Sequence, residues 1–299
     1  EITSVPDGLL LVLVLHHAAV DGHSLALLAT ELSAALGGPP AAPAPRRYAE
    51  YARIRAARLD TPGTAESTRA WADRLRDTSD IQWAKPGPGT GGCAEVPLTL
   101  PADLVGDLYE LSRRRRITAY PVVLAACAGA LGAVTDTARF CLGSPASERG
   151  DPDFDDTIGL FVTTSVLPVS GDPGLPAAQA LDQAVAAAAG AMRHRDVALG
   201  PLLRTLRRRS TGRSPLFQAQ LAWQNHPAPG WRIPGVGVRE LRIRPLAPQL
   251  ELTVELWPRA ADRPMDAVVE YAAAAVDRGV AETVAEQFLA QLRRLCRLG

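Results

Sequence analysis

The longest unbroken apolar run near the start of the chain is Leu9 to Leu15, which follows Pro6–Gly8. Its length and lack of alternation predict a short strand buried on both faces. Beyond it, Leu25, Leu28, Leu32 and Leu36 recur at helical spacing. Ser24 is expected to cap that helix, and Gly37–Pro40 to stop it. A Pro/Ala-rich linker reaches Pro45. The stretches YAEYARIRAARL (48–59) and ESTRAWADRLRD (66–77) then read as two helices. Lys85–Gly92, KPGPGTGG, is the strongest break in the pattern, so a domain boundary is expected at residues 84/85.

After the break, Pro101 opens an amphipathic helix that runs into four arginines, Arg113 to Arg116, and Ala119–Val134 reads as a buried apolar helix. Strands are predicted at Arg139–Pro145, Ile158–Val169, Ser214–Asn225, Gly237–Leu246, Leu250–Pro258 and around Met265–Ala274. Helices are predicted at Pro176–Arg193 and Asp277–Leu298, the last capped by Asp277. Strands and helices mix without strict alternation. The fold class is therefore α/β, or α+β, with a mixed sheet.

Composition narrows the function. Of 299 residues 47% are hydrophobic, enough to bury a sizeable core, and the formal net charge is zero. Neither a nucleic acid nor a membrane is expected as partner. The runs Arg113–Arg116 and Arg207–Arg209 read as solvated helix ends. Four scattered cysteines (Cys93, Cys127, Cys141, Cys296) form no C-x-x-C pair, which suits a reducing cytoplasm.

The chemistry concentrates in LLLVLVLHHAAVDGHS, residues 9–24. Were the strand to continue through them, His16 and His17 would point to opposite faces, one toward a cleft and one into the interior. Gly22 lets the chain turn before the helix. Imidazole suits proton transfer near neutral pH, and Asp21 could orient a ring or hold the loop through an arginine. Four readings compete: two structural histidines, a metal site from His17, Asp21 and His23, a hydrolase triad without any G-x-S-x-G, and a catalytic base without a protein nucleophile.

HHAAVDG (16–22) resembles the HHxxxDG motif of nonribosomal peptide synthetase condensation domains. YAEYARIRAARL and WADRLRD resemble the helices that follow it, with Ala70 in place of a tyrosine. LGSPASERGDPDFDDTIGLFVTTSVLPV (142–169), HRDVALGPLLRTLRRRSTGRSPLFQAQLAWQN (194–225) and PQLELTVEL (248–256) resemble later family segments in the family's order. The resemblance implies a chloramphenicol-acetyltransferase-like fold of two lobes with a tunnel between them. Residues 1–84 would be the remainder of the N-terminal lobe and 85–299 the C-terminal lobe.

It further implies amide formation between a donor thioester and an acceptor amine. Both would be delivered on 4'-phosphopantetheine arms of donor and acceptor peptidyl carrier proteins, beside neighbouring synthetase domains. The chain itself would bind no cofactor and no metal. His17 maps to the tunnel histidine, His16 and Asp21 to structural positions, and Gly22 to the turn. Ser144 and Ser147 are candidate oxyanion donors as well as ordinary turn residues. Trp223 and Asn225 either line the tunnel or pack the core and end a strand. An epimerization domain, or a docking module that recruits carrier proteins or tailoring enzymes, would share these features.

This sequence departs from the family pattern in two ways. Only fifteen residues precede the motif, so a second chain or segment is expected to complete the first lobe and to supply the partner of Asp21. Glu148, Thr163, Pro248–Gln249 and Glu251 stand where the family usually has other residues.

Overall fold

The computed structural model describes residues 1–6, 8–41, 46–84, 87, 91–135, 137–208, 212–241, 243 and 247–298. The chain divides into two compact units: Glu1–Ala56 with Ser147–Thr163 and His226–Leu241, and Ala57–Ala146 with Thr164–Asn225 and Arg242–Gly299. This division does not follow residues 84/85. Most of the break anticipated there (85–86 and 88–90) lies outside the described residues.

The first unit opens with an antiparallel hairpin of β1 (Ile2–Val5) and β2 (Gly8–Leu11), paired from Ile2↔Leu11 to Val5↔Gly8. The sequence pattern predicts a single strand here, buried on both faces. Instead the strand ends at Leu11, and most of the apolar run is exposed, with Val14 at 91%. A two-stranded ribbon offers each strand one neighbour, and its apolar side chains are buried only where a second layer covers them.

A 3-10 turn (His17–Ala19) leads into α1 (Gly22–Ala35). Asp21, rather than Ser24, is its cap: the Asp21 carboxylate accepts from the Ser24 N–H at 2.8 Å. α2 (Tyr48–Leu59) follows as expected. Tyr51, Phe154 and Phe161 form this unit's small aromatic core, with Tyr48 and Ile54 packed against it.

The second unit holds the large core. α3 (Pro62–Leu75) precedes β3 (Cys93–Leu100), α4 (Ala102–Arg115), α5 (Ala119–Gly132), β4 (Arg139–Ser147) and β5 (Val162–Ser170). Then come α6 (Ala177–Arg193), α7 (Leu199–Leu206), β6 (Ala219–Trp223), β7 (Leu252–Leu256), β8 (Met265–Ala272) and α8 (Arg278–Cys296). The six strands form one sheet in the order β3-β8-β7-β6-β4-β5. β3–β8 and β8–β7 are antiparallel, whereas β7–β6 and β6–β4 are parallel, so the sheet is mixed as expected.

Beyond the hairpin, α7 is a helix that the sequence reading does not contain, and two further elements differ from it. β3 was not anticipated because it carries Pro97. A proline is tolerated there because β3 is an edge strand. Gly237–Leu246 was read as a strand, yet its described residues form none. Leu241 and Ile243 are exposed, so no packing rewards extension there. α5 is buried nearly all round and packs on α6 and α8, consistent with its lack of a polar face. The arginines that end α4 are solvent-exposed, and Arg116 closes the helix in the left-handed region at φ 54°.

Candidate functional site

The motif residues sit in the first unit, on the turn that joins the hairpin to α1. Because the strand stops at Leu11, His16 and His17 do not alternate across a sheet, and both are exposed. The expected inward-facing His16 is corrected on this point.

The two rings are held differently. The Nδ1 of His16 accepts the Ala18 N–H at 3.0 Å, so its Nδ1 lone pair is occupied by the turn. The Nδ1 of His17 lies 2.7 Å from the Val20 carbonyl oxygen. A carbonyl only accepts, so His17 donates from Nδ1, and in the neutral ring the basic lone pair is left on Nε2. Adjacent histidines thus carry opposite tautomers. His23 points elsewhere, with Nε2 3.0 Å from the Asp155 carbonyl oxygen. Among the described residues, no group of three or more His, Cys, Asp or Glu side chains could hold a metal ion.

Asp21 is 3% exposed and fully engaged. Its Oδ1 accepts from the Ser24 N–H at 2.8 Å and the Ser24 hydroxyl at 2.7 Å; Oδ2 accepts from the Phe161 N–H at 2.9 Å. The expected partner from a missing segment is instead Arg149 of this chain, whose Nη2 lies 3.4 Å from Oδ1. Burial pushes the Asp21 pKa up, but the bonds from Ser24 and Phe161 and the Arg149 charge outweigh it and hold the carboxyl below its usual range. Arg149 also donates to the Phe154 and Thr157 carbonyls at 2.7 and 2.9 Å, and its guanidinium lies 3.9 Å over the Phe161 ring. Asp21 therefore acts as helix cap and loop anchor.

Gly22 begins α1 against His226. A Cβ on Gly22 would come within 2.6 Å of that ring, so His226 would have to move. The Ser24 hydroxyl oxygen also lies 2.8 Å from the Gly159 carbonyl oxygen, an alternative acceptor for its single proton, and accepts the Gly159 N–H at 3.0 Å. Ser147, in the same unit, is exposed, and its hydroxyl oxygen accepts the Arg149 N–H at 3.2 Å.

The remaining candidates belong to the second unit. Ser144 lies in strand β4, not in a turn. Its hydroxyl accepts from Tyr120 at 2.7 Å and donates to the Leu221 carbonyl at 2.9 Å. That hydroxyl proton is committed, which corrects its reading as a spare oxyanion donor. Trp223 is half-buried against the large core, and Asn225 is exposed, its N–H bonded to the Trp223 carbonyl at 2.9 Å.

Sequence reasoning missed Arg149, His226, Tyr51 and Arg55 as parts of the motif's surroundings. Tyr51 and Arg55 stand four apart on α2 and so share one face. Both bond the carboxylate of Glu148, one of the positions at which this sequence departs from the family pattern. Arg55 Nη2 reaches Glu148 Oε1 at 2.7 Å, its Nε bonds Oε2, and the Tyr51 hydroxyl donates to Oε2. Burial first, then the bond to Glu148, raises the Tyr51 pKa, so this phenol stays protonated. Glu251, the other acidic departure, accepts from Arg213 at 2.6 and 2.7 Å and from the Trp83 indole at 2.6 Å.

Residues 2–297 match the family described as Condensation domain. The probable non-canonical nonribosomal peptide synthetase CymA of Salinispora arenicola is 33% identical over 98% of this chain, which spans 4% of that protein. A dimodular nonribosomal peptide synthase of Bacillus subtilis is 29% identical over 95% of this chain, which spans 13% of it. Among solved structures, the X-domain from teicoplanin biosynthesis superposes with a TM-score of 0.80 at 20% identity, covering 95% of this chain and 68% of that one. The four-domain nonribosomal peptide synthetase holo-AB3403 gives 0.77 at 18% identity, covering 95% and 23%. A mixed sheet with the chloramphenicol-acetyltransferase-like fold, an HHAAVDG turn anchored through Asp21, and a match over nearly its whole length lead to one assignment: the chain belongs to the condensation-domain family of nonribosomal peptide synthetases.

Proposed function

We propose that the chain forms an amide bond between a donor acyl or peptidyl thioester and the amine of an acceptor aminoacyl group, each tethered to a carrier protein through a phosphopantetheine arm. The acceptor nitrogen attacks the thioester carbonyl, the C–N bond forms, the C–S bond breaks, and the donor thiolate leaves. The attacking nitrogen gives up one proton. His17 is the group proposed to receive it, or to position that nitrogen, through Nε2.

The observation that carries this reading is the bond from His17 Nδ1 to the Val20 carbonyl, which leaves an exposed Nε2 lone pair on the ring. A thioester is already activated and the reaction needs no protein nucleophile. Aligning the two tethered arms supplies much of the acceleration, roughly 7–11 kcal/mol for well-oriented groups. The exposed apolar positions of β1 and β2 support the expectation that another segment or chain lies against them.

The test supplies the full polypeptide that carries this chain with donor-loaded and acceptor-loaded carrier proteins. Carrier-bound products are then read by mass spectrometry and chiral analysis. Peptide on the acceptor carrier, lost in His17→Ala, is the expected outcome. Inverted stereochemistry without peptide would assign epimerization instead, and carrier binding with neither product a docking role.

A further inference from the structure

Glu148 lies one residue before the arginine that holds Asp21, and its carboxylate is bonded on both oxygens by Arg55 and Tyr51. Its backbone joins the motif by a second route. The Glu148 N–H donates to the Phe161 carbonyl at 2.6 Å, and the Phe161 N–H donates to Asp21 Oδ2 at 2.9 Å. The Phe161 ring in turn lies under the Arg149 guanidinium and 4.3 Å, centroid to centroid, from the Tyr51 ring. Arg55, Glu148, Arg149 and Asp21 thus alternate in sign, with each anion held by its own cation.

Asp21 follows Val20 directly, and the Val20 carbonyl is the acceptor that selects the His17 tautomer. Whatever fixes Asp21 therefore fixes the orientation of that carbonyl. We propose that Glu148 is a positioning residue: clamped by Tyr51 and Arg55 of α2, it keeps Arg149 and the Phe161 peptide on Asp21, and so holds His17 in the Nδ1-protonated form. The link to catalysis rests on the reading of His17 given above; the link to the tautomer does not.

With the Glu148 carboxylate gone, Arg55 and Tyr51 lose their shared acceptor, and the segment that carries Arg149 is no longer tied to α2 through that side chain, which leaves Arg149 only its own bonds to the Phe154 and Thr157 carbonyls and to Asp21. The Val20–Asp21 peptide is then free to rotate, and His17 exchanges between tautomers. Misplacement of this size through a residue outside the chemistry costs roughly ten- to a hundredfold in rate. Neutralising Glu148 as Gln leaves an acceptor for Tyr51 but no charge for Arg55, so its effect is intermediate.

The experiment compares wild type, Glu148→Ala, Glu148→Gln and Tyr51→Phe in the full polypeptide. Imidazole nitrogen NMR reads the His17 tautomer, and transfer kinetics with loaded carriers read kcat and KM. The expected result is a predominantly Nδ1-protonated His17 in wild type, a mixed tautomer in Glu148→Ala, and a fall in kcat with little change in KM. Glu148→Gln and Tyr51→Phe should fall between. Folded variants, shown by cooperative melting, that retain the wild-type tautomer overturn the proposal. If Glu148→Ala does not fold, Tyr51→Phe decides, because it removes one hydroxyl and keeps the ring in the core. If wild type transfers nothing, the amide-forming reading fails, while the tautomer comparison still decides the role of Glu148.

Discussion

The imidazole of His17 donates its Nδ1 proton to the Val20 carbonyl at 2.7 Å, three residues further along the same turn. His16, beside it, accepts the Ala18 N–H through the equivalent atom. A repeated residue type thus serves two purposes, set by which backbone group each ring meets.

That difference predicts unequal effects of substitution. His17→Ala should lower single-turnover amide transfer by about 10²- to 10⁴-fold, the usual cost of losing a general acid or base. His16→Ala loses one hydrogen bond in an exposed turn, about 1 kcal/mol, so most activity should survive. Equal losses in the two variants would argue against Nε2 of His17 as the working atom.

Arg149→Ala should destabilise strongly. The side chain is 5% exposed, and its loss leaves the buried carboxylate of Asp21 without its cation. Breaking one side of a buried ion pair costs about 3–5 kcal/mol. A denaturant titration should show a lower midpoint than Arg76→Ala, which removes an exposed pair with Asp73 and should change stability by less than about 1 kcal/mol.

The acid limb of stability should report Asp21. Its folded pKa lies below the ordinary value of about 3.9. The unfolded chain therefore takes up this proton first. The contribution of Asp21 is complete above its ordinary pKa and is lost as pH falls through the depressed folded value. Urea midpoints measured from about pH 6 down to about pH 3 should fall less steeply in Asp21→Asn than in wild type.

Gly159→Ala tests the packing of the motif against α2. A Cβ there would overlap the Tyr48 ring, whose hydroxyl donates to the Leu160 carbonyl at 2.9 Å. Overpacking of this kind typically costs about 1–3 kcal/mol. Thermal unfolding should show the loss, and Gly230→Ala, which meets nothing within 4 Å, should not.

Cys127 and Cys141 should be silent to thiol reagents in the folded state. Burial pushes the Cys127 thiol up to about 12, and Cys141 to about 11, with both side chains fully buried. Labelling at these two positions is expected only as the chain unfolds, and its rate should track unfolding across a denaturant series.

Most helices were legible because their signals are local. Leucines at three- and four-residue spacing, Pro101 at the start of α4 and Asp277 at the start of α8 each act within one or two turns. The HHAAVDG turn was legible as chemistry for the same reason: its residue types and spacing are contiguous. Non-local contacts were not legible. The distant partners of Asp21 lie 128 and 140 residues away, at Arg149 and Phe161, and no pattern within the motif names them. Arg55 and Tyr51 shared a helix face in plain sight, but only the fold revealed that Glu148 stood opposite.

Burial was the other gap. Seven consecutive apolar residues, Leu9 to Leu15, suggest a strand inside a sheet, yet all but the half-buried Leu10 and Val12 lie exposed on and beyond a two-stranded ribbon. Sequence alone determined most helices, most strands of the mixed sheet and the position of the histidine pair, because each follows from neighbours a few residues apart. Tertiary structure alone decided which cation meets the buried anion of Asp21 and which strands have a covering layer. Those outcomes depend on groups that come together only when distant segments pack.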